Sequence, residues 1–483
     1  MGKINNTLFL RETENLKEKC GVFGIYGQGF EAARLVHPGL WALQHRGQES
    51  SGIVSSDGNK IFYHKGMGLV SHVFDENNLK KLKGNLAIGH NRYSTSGDSI
   101  EKHAQPVIEK IKGNGLLALA HNGNLPSTKK LEEFLKAKKV SLNGANDSEM
   151  MAKAIAFYMS KGLSIDEAVK KSYPLFTGVF CLVLMDRKKI VALRDAFGIR
   201  PLSLGKLNGG FVIASETCAL DIIGATFLRD IKPGEMIVLD KDGLKSHRLE
   251  KGKEQLDIFE FVYFARPDSY LMGKSVDEVR QNLGVELAKE FKQIFPSGIK
   301  ADVVVPVPDS GVPAALGFSK VSGIPFYPGL IKNRYIHRTF IMPEQHTRNQ
   351  GVRLKLNPLK HVLKGKTVIL IDDSIVRGTT SKQLIEMIKG AGAKKVYFLI
   401  ASPPVKYPDF YGVNTPRQQD LIGARKTVKE IEKEIGVDGL HFLSYQGLLK
   451  AVGISEDNLC TSCFTGNYPV DIGERVKEIK FGV

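Results

Sequence analysis

One stretch of the chain, Thr367 to Ser381 (TVILIDDSIVRGTTS), constrains its fold more than any other. Val368-Ile369-Leu370-Ile371 is an unbroken aliphatic run of the length expected of a strand buried on both faces. The sequence turns polar at Asp372-Asp373, passes through Arg377-Gly378-Thr379-Thr380-Ser381, and then shows Leu384, Ile385 and Ile388 at helical spacing until Gly390 stops the helix. A helix start offers backbone N–H groups to a phosphate, and Gly378 lets the backbone approach closely. Adjacent carboxylates can accept hydrogen bonds from vicinal ribose hydroxyls. A buried strand leading into an ordinary capped helix would also place Asp and Thr here. Two adjacent acids at the carboxyl end of such a strand favour a phosphosugar site instead.

At nearly every position this block resembles the signature stretch of the phosphoribosyltransferases that use phosphoribosyl pyrophosphate. The resemblance implies that Asp372 and Asp373 hold the ribose hydroxyls or their magnesium ion, and that Arg377 to Ser381 cradle the 5-phosphate. It does not name the nucleophile that attacks the sugar, and one further class of protein keeps the fold only to sense the ligand.

The chain has 483 residues, too many for one ordinary core, which suggests roughly three domains. A hydrophobic fraction of 42% with 25% charged residues describes a soluble globular protein. No apolar run approaches the roughly 20 residues needed to cross a bilayer. Leu8-Phe9-Leu10 is too short for a signal peptide, so a cytoplasmic protein with no membrane partner is expected. Five unevenly spaced cysteines do not make a secreted disulfide framework. The net charge of +17 raises the question of nucleic acid. The lysines are scattered, however, and no basic tail or aromatic-interleaved basic motif occurs, so a nucleic-acid partner is not expected. A polyanionic small substrate suits the charge equally well.

In the first half, residues 1–19 form a polar leader, and Cys20 to Gly27 alternate like a strand with a cysteine at its start. An interior cysteine is ordinarily a small core residue, as Cys181 and Cys218 are expected to be. Four later blocks set Cys20 apart. They are Leu43 to Glu49, Gly89 to Thr95, His121 to Asn124 and Asn146 to Glu149, each a polar cluster just after a strand-like run. Singly each could be a turn. In this order they resemble the N-terminal-nucleophile class of glutamine amidotransferases. The chemistry suits the residue types, because hydrolysing a carboxamide needs a nucleophile, a base, an oxyanion hole and a lock on the amino-acid end. By that resemblance Cys20 supplies the thiolate, Asn122 and Gly123 the oxyanion donors, Arg92 the partner of the glutamine α-carboxylate and Asp147 that of its α-ammonium, with Gly47 lining the pocket. With residues 1–19 attached, Cys20 carries an amide where the α-amino base is needed, so cleavage between Lys19 and Cys20 is expected. Arg194 to Leu202 and Ala214 to Glu216 match the same pattern, with structural roles.

The charged segment Leu249 to Gln255 is the expected boundary, and a helix should run from Val276 to Phe291. Ala301 to Pro308 reads as a buried strand ending at Asp309-Ser310-Gly311. Strands alternating with helices through Val396 to Ala401 argue for an α/β doubly wound parallel sheet. The resemblance makes the second junction a pyrophosphate loop, with Asp309 binding phosphoribosyl pyrophosphate and Ser310 near magnesium. It also makes Lys332 to Phe340 and Gln345 to Arg353 a lid, in which Lys332 and Arg334 neutralise the leaving group and water is excluded.

Together the halves resemble the family of glutamine phosphoribosylpyrophosphate amidotransferases over nearly the whole chain from Cys20. The implied organisation is a leader, 1–19, removed from the mature protein; an α+β sandwich of the N-terminal-nucleophile hydrolase type (αββα), 20–250; and a type I phosphoribosyltransferase domain with a C-terminal segment, 251–483. The implied reaction takes glutamine and phosphoribosyl pyrophosphate to 5-phosphoribosylamine, glutamate and pyrophosphate with Mg2+, the committing step of purine synthesis. Purine nucleotide inhibitors and a homotetramer are implied as well.

Cys460-Thr461-Ser462-Cys463 resembles the C-terminal pair of members that carry a [4Fe–4S] cluster. A lone C-x-x-C supplies two of four thiolates. Aligning the flanking blocks puts Asp257 and Asp409 at the other two positions, so a cluster is not expected. Two other readings compete with the enzyme. A phosphoribosyltransferase-fold ligand sensor that binds nucleic acid would need neither Cys20, Arg92, Asn122 and Asp147 nor a lid. A glutaminase joined to a sugar phosphate isomerising domain is disfavoured by the two-acid loop.

Overall fold

The computed structural model describes residues 20–93, 101–113, 115–294, 299–333, 355–412 and 417–480. They fall into two compact units. Among the described residues, one comprises 20–280, 408–412 and 452–480; the other comprises 281–407 and 417–451. The leader lies outside the described residues, as do Ser94 and Thr95, Arg334 and the rest of the expected lid to Arg353.

In the first unit the strand Gly21–Gly27 sits at the middle of a seven-stranded antiparallel sheet, between Leu86–Arg92 and Gly210–Ala214. A second antiparallel sheet, six-stranded, is built around Gly115–Ser127 and Thr177–Met185. Side chains alternate along a strand, and each sheet has two apolar faces. Val22, Val54 and Ile88 meet Ala118, Ala120, Cys181 and Val183 in one core between the sheets. On the outer face of the first sheet, Phe23 and Ile25 pack with Val36 and Leu40 of the helix Ala32–Ala42. On the other outer face, Leu119, Leu182 and Leu184 pack with Met151 and Ile155 of the helix Asp147–Met159. Helix, sheet, sheet, helix is the αββα sandwich expected. Cys181 and Cys218 are buried, unpaired thiols in these cores.

The polar blocks are placed differently from the expectation of strand-end clusters. His121 to Asn124 lie inside the strand Gly115–Ser127, and Gly89 to Arg92 inside Leu86–Arg92. Both strands run on because a neighbour pairs with them throughout: Asn122 with Cys181 and Gly123 with Phe180, Asn91 with Gly21. A ladder partner distant in sequence overrides the local turn signal of Asn-Gly.

The second unit holds a four-stranded parallel sheet in the order Val303–Pro306, Thr367–Asp372, Lys395–Ile400, Gly439–Phe442. Val368 and Leu370 face one cluster with Leu384, Ile385 and Ile388 of the helix Thr379–Gly390, while Ile369 and Ile371 are equally buried on the other face. Both faces are covered, as the unbroken aliphatic run requires. The helix Val276–Ile294 buries Val279, Leu283, Leu287 and Phe291 along one side.

Candidate active site

Cys20 directly precedes the central strand of the first sheet and is 8% exposed. Its Sγ donates to the Tyr93 carbonyl at 3.7 Å. Burial pushes the thiol up to about 11, against the lowering effect of that bond and of Arg92; the charges of Glu49 and Asp147 push it further up. A neutral thiol at neutral pH therefore needs a base to become a nucleophile. Arg92 ends the neighbouring strand, buried, with Nη1 2.9 Å from Glu49 Oε1. Gly47 packs on the peptide joining Asn91 to Arg92, where a Cβ would lie 2.7 Å from backbone atoms. Only glycine fits that approach.

Asp147 is the first residue of its helix, whose start is closed by reciprocal bonds between Asn146 and Glu149. Its Oδ2 accepts from the Leu125 N–H at 3.2 Å. His121 joins this corner to the rest: Nδ1 is 2.9 Å from Ser148 Oγ and 3.8 Å from Asp147 Oδ2, while its carbonyl oxygen lies 2.9 Å from His90 Nε2. Burial lowers His90 to about 3, so its ring is neutral and donates to that carbonyl. Next along the strand, Asn122 is buried and its side-chain N–H2 finds no partner among the described residues. A buried amide donor without an acceptor is costly unless a ligand supplies one, and an oxyanion would. At Gly123 a Cβ would come 2.1 Å from the Val179 carbonyl oxygen.

Sequence reasoning gave no role to Arg46 or Glu49. Arg46 is fully buried; its Nε donates to the Cys20 carbonyl at 3.2 Å, and its terminal nitrogens meet Glu260 at 2.9 and 3.2 Å and also Glu216. Burial opposes ionisation of Glu216, but His45 and Arg46 more than offset it and hold the carboxyl well below the usual range. Glu216 and Glu260 lie 170 and 214 positions from Arg46, a separation that no local pattern signals.

In the second unit, Asp372 and Asp373 stand at the carboxyl end of their strand, and Pro306 pairs with Ile371 one strand over. The loop after Pro306, containing Asp309 and Ser310, therefore emerges beside them. Asp373 N–H donates to Asp372 Oδ1 at 2.9 Å, and Ser374 Oγ to Asp373 Oδ2 at 2.6 Å. Burial and the adjacent Asp373 raise Asp372 well above the usual carboxylate range. A divalent cation would relieve such a pair, so the residues fit magnesium. Gly378 takes φ +87 immediately before the helix Thr379–Gly390, so Thr379, Thr380 and Ser381 form its first turn. Lys332 Nζ lies 2.5 Å from Asp309 Oδ2. Arg377 directly precedes Gly378 on the same loop, and Arg334 lies outside the described residues.

The four residues expected around an iron–sulfur cluster come together in the first unit. Asp257 pairs with Cys460 between two short parallel strands, and both thiols are raised by burial and by the charges of Asp257 and Asp409. Both carboxylates are engaged by Arg200: Nη1 to Asp257 Oδ2 at 2.7 Å and Nη2 to Asp409 Oδ1 at 3.5 Å. Two thiols and two carboxylates already engaged by a guanidinium do not fit a cluster that wants four thiolates.

The chain matches two families, the glutamine amidotransferase domain over residues 90–221 and the phosphoribosyl transferase domain over 275–406. It is 48% identical to the amidophosphoribosyltransferase of Synechococcus elongatus, covering 98% of this chain and 96% of that protein. To the amidophosphoribosyltransferase of Bacillus subtilis it is 44% identical, covering 96% of each. Among solved structures it resembles the B. subtilis glutamine phosphoribosylpyrophosphate amidotransferase complexed with ADP and GMP, with a TM-score of 0.87 and 43% identity, covering 94% of this chain and 98% of that one.

Proposed function

The chain belongs to the amidophosphoribosyltransferase family, and we propose that it works with Cys20 as its nucleophile and the Asp372–Asp373 junction as its phosphoribosyl site. It is a glutamine-dependent transferase of purine biosynthesis. The observation that carries the residue assignment is that one chain, alike to these enzymes along nearly its whole length, holds both a buried thiol under the charges of Arg92 and Asp147 and a pair of strand-end carboxylates at a helix start.

Cleavage after Lys19 gives Cys20 an α-amino group with an ordinary pKa near 8, which takes the thiol proton. The sulfur attacks the glutamine carboxamide carbon while the Asn122 side chain and the Gly123 N–H receive the oxyanion. The Asn122 amide, without a partner among the described residues, supports that role. Arg92 exchanges Glu49 for the substrate carboxylate, Asp147 receives the ammonium, and Gly47 leaves room for both. The amine returns its proton to the departing ammonia, and water then releases glutamate from the thioester.

The ammonia attacks the anomeric carbon of phosphoribosyl pyrophosphate as pyrophosphate leaves. Arg377, Gly378, Thr379, Thr380 and Ser381 hold the 5-phosphate, the helix start contributing N–H groups. Asp309, Lys332 and Arg334 hold the pyrophosphate end. A magnesium ion held by Asp372, Asp373 and Ser310 would supply positive charge to the leaving group. Purine nucleotides inhibit, a homotetramer is the working assembly, and the protein acts in the cytoplasm; in support of the last, no helix among the described residues is long and apolar enough to cross a membrane. Supplying the pure protein with glutamine, phosphoribosyl pyrophosphate and magnesium should yield glutamate and pyrophosphate in equal amounts together with phosphoribosylamine. Glutamate without pyrophosphate would defeat the assignment of the second site.

A further inference from the structure

The residues Asp409-Phe410-Tyr411-Gly412 lie directly on the strand that carries Asn122 and Gly123. Gly412 takes φ +109, and a Cβ there would stand 2.9 Å from the Gly123 carbonyl carbon and 3.0 Å from its oxygen. One residue on, Asn124 Nδ2 donates to the Phe410 carbonyl at 2.8 Å. The segment thus touches the carbonyl and Cα of Gly123, whose N–H is one expected oxyanion donor, on one side and the Asn124 side chain on the other.

Arg200 holds that segment in place. It is 0% exposed. Its Nε and Nη2 both donate to the Tyr411 carbonyl, at 3.0 and 2.7 Å, and Nη1 reaches Asp257 Oδ2 at 2.7 Å. Asp409 Oδ1 lies 3.5 Å from Nη2 and accepts from the Tyr411 N–H at 2.6 Å. The far side is fixed by Tyr411 O–H donating to the Val470 carbonyl at 2.6 Å and by the Arg475 guanidinium 4.5 Å over the Phe410 ring. A planar fork can grip one carbonyl with two nitrogens while a third meets a carboxylate; a lysine ammonium cannot reproduce that geometry.

We propose that Arg200 is a positioning residue for glutamine hydrolysis: by clamping the Tyr411 carbonyl it seats Asp409–Gly412 against Gly123 and Asn124, and so sets the oxyanion donors. This rests on the reading of Cys20, Asn122 and Gly123 given above. Misplacing such donors by about 1 Å costs on the order of 100-fold in rate, and it affects the step at which the oxyanion forms more than the binding of glutamine.

The test uses the full-length enzyme with two variants that reach the segment from opposite sides. Arg200→Lys keeps the charge and loses the double grip; Asn124→Ala removes the bond to Phe410 and leaves the ion pairs intact. Both should lower kcat with glutamine at least about tenfold with KM for glutamine within about twofold, and both should keep the rate with free ammonia. Should Arg200→Lys fail to fold, losing the ammonia-dependent rate too, Asn124→Ala decides alone. An unchanged glutamine kcat in Asn124→Ala, or glutamine and ammonia rates falling together in it, overturns the proposal. Full glutamine-dependent activity in Cys20→Ala would instead overturn the reading of the site on which the proposal rests.

Discussion

Arg46 Nε donates to the carbonyl oxygen of Cys20 at 3.2 Å, so the residue read as the nucleophile is tied through its own backbone to a buried arginine. The same guanidinium is shared by Glu216 and Glu260, neither exposed. A buried ion pair contributes little net stability when complete, but removing one member leaves the others uncompensated.

Arg46→Met should therefore destabilise the protein by ~3–5 kcal/mol, since Glu216 is left with His45 alone and Glu260 with Arg200 at 3.8 Å. The shift in denaturant midpoint of the first unfolding transition measures it. Glu260→Gln should cost less, because Arg46 keeps Glu216. A midpoint unmoved in Arg46→Met would mean that water reaches these carboxylates.

The Cys20 thiol, pushed up to about 11 by burial, sets a pH expectation. Without a nearby base only about one thiol in ten thousand is ionised at pH 7. With the α-amino group free, glutaminase activity should rise with pH as that amine loses its proton near pH ~8 and level off above it. A variant blocked from cleavage after Lys19 should lose at least about 100-fold in glutaminase rate while keeping ammonia-dependent activity. Intact-mass analysis paired with both assays checks this; an uncleaved protein that hydrolyses glutamine at the full rate would refute the α-amine as base.

Much of the second site was legible in the letters, because a strand, its terminal acids, Gly378 and the following helix are contiguous. The helix ends at Gly390 as the sequence signalled. The first site was legible only as blocks. Asn122 and Gly123 were expected after a strand and are inside one, since the pairing with Cys181 and Phe180 is set some 60 positions away. The links of Arg46 to Glu260 and of Arg200 to Tyr411 span more than 200 positions. Nor did any local feature signal that residues 408–412 belong to the same compact unit as Cys20.

Asp372 carries a stability consequence of definite sign. Its folded-state pKa lies above its unfolded value because of burial and Asp373, so its contribution is fully present below the unfolded pKa and is lost as pH rises through the folded one. At neutral pH without magnesium, Asp372→Asn should accordingly melt at a higher temperature than the wild type. The same variant should lose about 100-fold or more in pyrophosphate release with glutamine and with ammonia alike. Calorimetry and the two assays test it together; a lower melting temperature in metal-free buffer would contradict the sign.

The sulfur pocket predicts a metal analysis. Protein purified without oxygen should contain well under one iron and one sulfide per chain, and iron chelators should leave glutaminase activity intact, because Arg200 already neutralises Asp257 and Asp409. About four irons per chain would show that the guanidinium yields to a cluster.

The division of labour between the two sites is measured most directly in Cys20→Ala, given phosphoribosyl pyrophosphate, magnesium and each nitrogen donor in turn. The predicted result is no phosphoribosylamine from glutamine and a wild-type rate from free ammonia. Phosphoribosylamine formed from glutamine at the wild-type rate, or equal loss with both donors in a variant that folds, would contradict the account.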